Sequence, residues 1–191
     1  MKRIYCIGDS NTFGHDPRSK LGEPYGDDER WTGRLAQYGF EVINTGRNGL
    51  CIPDPREFPA LGDSIGRTGP LDAVTVMLGT NDLLRGADAG MAAHRMEKLL
   101  VFLRDNVGGA KLVLIAPPPM VRGEWVPTDN LVEESQKMTE AYRRLAERTG
   151  IVFADAGEWN AELTFDGVHL TAAGHAAFAE GLKRLLEELL T

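Results

Sequence analysis

The chain reads as an α/β protein, a doubly wound sandwich built around a parallel sheet. Three observations predict this. Five continuously apolar, β-rich runs recur along the 191 residues, and such runs fit strands buried on both faces of a parallel sheet. Amphipathic helical patterns stand between most of them, so strand and helix alternate from end to end. No internal repeat or linker interrupts the alternation, and the length suits one domain covering residues 1–191.

The first run, RIYCIG (3–8), ends in GDSNTFGH (8–15). Cys6 lies inside it and fits a small buried hydrophobe. DERWTGRLAQYG (28–39) has helical spacing with Trp31 as a core residue, and FEVIN (40–44) is the second strand, followed by NTGRNG (44–49). Residues 45–70 are expected to be irregular. AVTVMLG (73–79) is the third strand and runs into GTND (79–82). In GMAAHRMEKLLVFLRDNVGG (90–109), Met96, Leu99 and Leu103 make an apolar stripe and Gly108 stops the helix. KLVLIAP (111–117) is the fourth strand. The irregular PPPMVRGEWVPTDN (117–130) follows it directly, as a pocket wall or lid beyond the strand ends or as a contact between copies. Leu131, Ser135, Met138, Tyr142 and Leu145 give the next helix its stripe, polar only at Ser135, and Gly150 ends it. IVFAD (151–155) is the last strand. After DGVHLTAAGH (166–175), a final helix runs from Ala172 to about Leu190, with Thr171 as N-cap and Leu182, Leu185, Leu186 and Leu189 turned inward.

Bulk properties exclude several functions. The formal charge is −7, and the short basic clusters Arg143-Arg144 and Lys183-Arg184 lie among glutamates. A nucleic-acid partner, which demands a basic stripe, is therefore not expected. Two cysteines without a Cys-x-x-Cys motif argue against a zinc site, and no histidine–carboxylate cluster has metal spacing, so neither metal nor cofactor is expected. Cys51 is assigned no chemistry. No signal peptide or membrane-length apolar run is visible, which points to the cytoplasm.

The chemistry lies in the loops. On a doubly wound sheet the segments after the first three strands open on one edge, which gathers residues far apart in sequence. Acyl transfer needs a nucleophile, a base, a group that orients the base, and donors for the oxyanion. Ser10 supplies a hydroxyl in a turn. Asp166 and His169, three residues apart just before a helix, place a carboxylate against an imidazole whose other nitrogen faces the serine. Gly49 offers an unobstructed backbone N–H and Asn81 a side-chain amide; with the Ser10 N–H they make three oxyanion donors. Each piece alone is also an ordinary turn or cap. Together they appear in the order Ser…Asp…His, one of several orders this triad adopts.

With these residues in place, the chain resembles the SGNH (GDSL-type) hydrolases over essentially its whole length. The family's four blocks carry Ser, Gly, Asn and His, matched here by Ser10, Gly49, Asn81 and His169. Gly46 also falls in NTGRNG, and spacing from Asn44 favours Gly49. The resemblance implies that Asp166 orients His169, and that the fold is a three-layer α/β/α sandwich with a flavodoxin-like five-stranded parallel sheet in the order 2-1-3-4-5. RWTGRLAQ, VMLGTND, LIAPPP and FADAGE resemble the small bacterial arylesterase/acyltransferase branch, whose members cleave short acyl esters and transfer acyl groups to acceptors other than water. This chain is shorter around 85–95 and 120–130, where that branch builds its pocket and oligomer contacts.

Further residues border the motifs. His15 is either a pocket-wall contact or a surface-loop histidine, and Trp125 is the better substrate contact of the long loop. His94 and His175 fit structural or solvated positions, Arg47 a salt bridge or the attraction of an anionic substrate, and Asp9 and Asp82 the fixing of loop geometry. The expected substrate is a small-molecule, short-chain (acetyl-type) acyl ester, with acyl transfer as an added activity and a homo-oligomer as an open assembly. A carbohydrate O-acetylesterase is the nearest alternative. A non-catalytic flavodoxin-like module binding phosphate or flavin has no need of His169, and a degenerate scaffold has no need of all four blocks.

Overall fold

The computed structural model describes residues 1–191. Five parallel strands form one sheet: β1 (Lys2–Gly8), β2 (Phe40–Asn44), β3 (Ala73–Met77), β4 (Lys111–Ala116) and β5 (Val152–Asp155), in the order β2-β1-β3-β4-β5. The order follows from the crossovers, which wind to one side of β1 and then to the other. Cys6 of β1 lies level with Asn44, and Gly8 with Met77, so the loops leaving β1, β2 and β3 emerge side by side.

Helices cover both faces. α3 (Phe58–Gly66), α5 (Ala89–Asn106) and α6 (Asp129–Thr149) pack on one, and α2 (Trp31–Gln37) and α7 (Ala172–Leu189) on the other. The single-turn α1 (Ser10–Phe13) and α4 (Thr80–Leu84) sit at the strand ends. β3 is buried at every position, as an unbroken apolar run between two helical layers must be. The predicted stripes face the core: Met96, Leu99 and Leu103 of α5 and Leu182 and Leu186 of α7 are fully buried. Burial of each such leucine stabilises the fold by about 2–3 kcal/mol. Thr171 caps α7, its hydroxyl accepting from the Gly174 N–H at 2.9 Å, and Gly150 ends α6 in the left-handed conformation. Trp31 is a core residue, its ring 4.8 Å from Phe178.

One expectation is overturned. Residues 45–70 are not irregular throughout: a 3₁₀ turn at Pro55–Glu57 leads into α3. The two prolines start these elements rather than break them, because a proline in the first turn forgoes an N–H that has no helical partner anyway. No helix is long and apolar enough to cross a membrane.

Candidate active site

β1 delivers Ser10 to the sheet edge. Asp9 caps α1 by accepting the Asn11 N–H at 3.0 Å, and Gly14 ends the turn after four residues. Ser10 is therefore the first helical residue, and its N–H has no partner within its own turn. Its Oγ lies 2.9 Å from His169 Nε2, and His169 Nδ1 lies 2.7 Å from Asp166 Oδ2. All three side chains are buried.

The segment 164–171 holds its own shape. Asp166 Oδ1 accepts the N–H groups of Val168 at 2.8 Å and His169 at 2.9 Å, and the Thr164 N–H reaches the His169 carbonyl at 2.7 Å. Burial alone would raise the Asp166 carboxyl. The hydrogen bonds from the His169 ring and from the two main-chain N–H groups outweigh it and hold the carboxyl well below the usual range, so Asp166 stays anionic beside the imidazole.

Asn11 ties this segment to α1. Its Nδ2 donates to the Val168 carbonyl at 3.0 Å and its Oδ1 accepts the Leu170 N–H at 2.9 Å. Sequence reasoning missed Asn11; its place beside the serine in GDSN was the only signal.

Gly49 and Asn81 come from neighbouring loops. Gly49 has φ +70°, its N–H has no partner within the protein, and its carbonyl is held by the Arg85 guanidinium at 3.0 Å. Gly46 plays another part: a Cβ there would collide with the main chain of Thr12 and Phe13, so glycine lets the second loop close on α1. Asn81 Nδ2 donates to the Leu50 carbonyl at 3.2 Å and lies 3.4 Å from Asp9 Oδ2. The buried Asp82 accepts the Ile52 N–H at 2.9 Å and Arg95 at 2.8 Å, which fastens the loop carrying Gly49 to the one carrying Asn81. Burial pushes the Asp9 carboxyl up to about 6, because the hydrogen bond from Asn11 and the charge of His169 recover only part of the lost hydration.

Two more rings border His169. His15 is centred 4.7 Å from it and Trp125 4.9 Å, edge-on and half exposed. Burial and the neighbouring His169 lower the His15 pKa, which favours its neutral form. The loop bearing Trp125 is pinned to the acidic turn, the Trp125 N–H donating to the Asp166 carbonyl at 3.0 Å. His94 is exposed on α5, whereas His175 is fully buried and accepts the Trp31 N–H at 3.4 Å. Arg47 has no ion-pair partner, contrary to the expected salt bridge. Cys6 is buried in β1, its thiol pushed up to about 12 by that burial, and Cys51 is half-buried. No three His, Cys, Asp or Glu side chains are grouped to hold a metal ion.

Residues 6–177 match the GDSL-like lipase/acylhydrolase family. Over 100% of both chains the fold is similar to that of an aryl esterase from M. smegmatis, at 29% identity and a TM-score of 0.87. A carbohydrate acetylesterase family member from Sinorhizobium meliloti is similar at 26% identity and a TM-score of 0.85, covering 100% of this chain and 99% of that one. A GDSL esterase/lipase of Arabidopsis thaliana is 26% identical, covering 98% of this chain and 87% of the relative.

Proposed function

The chain belongs to the GDSL-like lipase/acylhydrolase family and is a carboxylic ester hydrolase; from that premise we propose that it cleaves short acyl esters through an acyl-enzyme on Ser10. The observation that carries this is the unbroken chain of contacts from Ser10 Oγ through His169 to Asp166, at 2.9 and 2.7 Å. Ser10 attacks the ester carbonyl while His169 Nε2 takes its proton. Asp166, kept anionic, fixes the tautomer and stabilises the imidazolium. Charge developing on the carbonyl oxygen meets the N–H groups of Ser10 and Gly49 and the amide of Asn81. His169 then protonates the departing alcohol, and water, deprotonated by the same imidazole, releases the acid. An alcohol acceptor in place of water gives acyl transfer.

Short acyl groups, acetyl first, fit a serine whose base is flanked closely by His15 and Trp125. Carbohydrate O-acetyl esters are the second reading, favoured by the half-exposed Trp125, an aromatic face of the kind that stacks on sugars. On this reading the chain works as one domain on small molecules in the cytoplasm, without cofactor or nucleic acid. Val121, Trp125 and Phe165, exposed around the mouth, are where copies would meet in a homo-oligomer.

Hydrolysis of p-nitrophenyl acetate tests the mechanism. Ser10→Ala is expected to lower kcat by roughly 10⁶-fold, as loss of the nucleophile does in related chemistry. Unchanged turnover would sink it. Acetylated xylo-oligosaccharides set against aryl acetates separate the two substrate classes.

A further inference from the structure

A cavity of about 660 Å³, with none of Ser10, Asp166 or His169 in its lining, opens between the β1–β2 side of the sheet and α3. That size suits a small organic molecule. Tyr5, Ile7, Leu50 and Leu61 give it an apolar lining, and a hydroxyl pair, Tyr5 Oη to Ser64 Oγ at 2.9 Å, lies within it. Three charged residues line it. Arg56 is bonded to Asp54, and Glu57 accepts the Asp54 N–H, so both side chains are engaged within that turn. Arg47 is the charge left over: exposed on the cavity wall, with neither ion pair nor side-chain hydrogen bond. An apolar slot with one uncommitted guanidinium matches a monoanion with an apolar body, and a carboxylate is the anion that guanidinium geometry suits.

We propose that this cavity is a second binding site, for a small carboxylate with an apolar body, and that its occupant acts on the oxyanion donors. The coupling is through one loop. Residues 46, 47 and 50 line the cavity, while the Arg47 N–H is held by the Gly8 carbonyl at 3.1 Å and the Leu50 carbonyl accepts Asn81 Nδ2 at 3.2 Å. Gly49 lies between them in the chain. A ligand pressed against Arg47 and Leu50 therefore bears on the segment that presents Gly49 and seats Asn81.

Calorimetric titration with 4-phenylbutanoate tests the site on protein whose Ser10 has been capped with diethyl p-nitrophenyl phosphate. One-to-one binding should survive capping, and Arg47→Met should weaken it about tenfold. 4-Phenylbutanamide should bind about tenfold more weakly than the acid to the wild type, and equally to Arg47→Met. Ala60→Trp, which fills the slot from α3, should abolish binding, with thermal melting as the check that it folds. Loss of binding on capping, or the same affinity in the wild type and Arg47→Met, overturns the site. In uncapped protein, saturating 4-phenylbutanoate should change kcat for p-nitrophenyl acetate at least twofold, with about tenfold more ligand needed in Arg47→Met; binding with unchanged kcat overturns the coupling. Failure of the organophosphate to label Ser10 would count against the acyl-enzyme mechanism instead, and the Arg47→Met comparison would still decide the site.

Discussion

Asn11 joins two segments of the site that lie 157 and 159 residues apart in sequence, through hydrogen bonds to Val168 and Leu170. Both partners are buried main-chain groups on either side of His169. Asn11→Ala would leave them unpaired, at about 1–3 kcal/mol each. A fall in thermal stability is expected together with a loss of kcat, because the imidazole loses its tether to the serine turn. Asn11→Asp restores only the acceptor for Leu170, so its kcat should fall between the two; an Asn11→Ala enzyme with wild-type kcat would contradict this. Asp166→Asn isolates a different contribution. The amide keeps the shape of the turn but cannot stabilise an imidazolium as an anion does, and kcat should drop about 10⁴-fold. Asn81→Ala should cost about 10²–10³-fold in kcat, with little change in KM if its amide acts in the transition state.

At the scale of elements, the loop ahead of α6 depends on contacts that no local pattern announces. Val121 donates its N–H to the Gly167 carbonyl at 3.1 Å and Trp125 to that of Asp166 at 3.0 Å. A Cβ on Gly123 would run into the Asp166 main chain. Gly123→Ala is therefore expected to lift the loop, separate Trp125 from His169 and raise KM more than it lowers kcat, which steady-state kinetics on an aryl acetate would show. All five strands could be read from the sequence, because each is a continuous apolar run and parallel pairing buries both faces. The long helices were legible for the same kind of reason, with stripes at helical spacing and glycine stops. α3 was hidden by Pro59 and by Pro55 in the turn before it, although Phe58, Leu61 and Ile65 carry the spacing. Ser10, Gly49, Asn81 and His169, the residues of the proposed site, could be expected to lie near one another because a parallel sheet sends the loops after its strands to one edge. Asn11, the Asp82–Ile52 contact and the docking of 121–126 could not, since each joins side chains or main chain across distant segments.

Over the whole molecule, two buried ionisable groups oppose each other in acid. Burial holds the His175 pKa down at about 3, with Arg34 and His169 adding to it, against an ordinary 6.5. The unfolded chain then binds a proton that the folded chain refuses, so this group's contribution is intact above about pH 6.5 and is lost as pH falls toward 3. Asp9 acts the other way. Its folded pKa is raised from 3.8 to about 6, so the folded chain binds the proton first, and the cost of a buried anion is relieved as pH falls from 6 toward 4. Each pKa unit is worth about 1.4 kcal/mol. Between pH 7 and 5, His175 thus removes about 2 kcal/mol while Asp9 returns slightly over 1 kcal/mol, and the wild type should be nearly level in their combined contribution. His175→Phe removes the loss and should gain stability relative to the wild type on going from pH 7 to 5. Asp9→Asn, which retains an N-cap acceptor, removes the relief, so its advantage at pH 7 should shrink over the same interval. Urea denaturation of the three proteins at pH 5, 6 and 7 reads both differences directly. Parallel pH profiles for all three would mean that neither group titrates differently on folding.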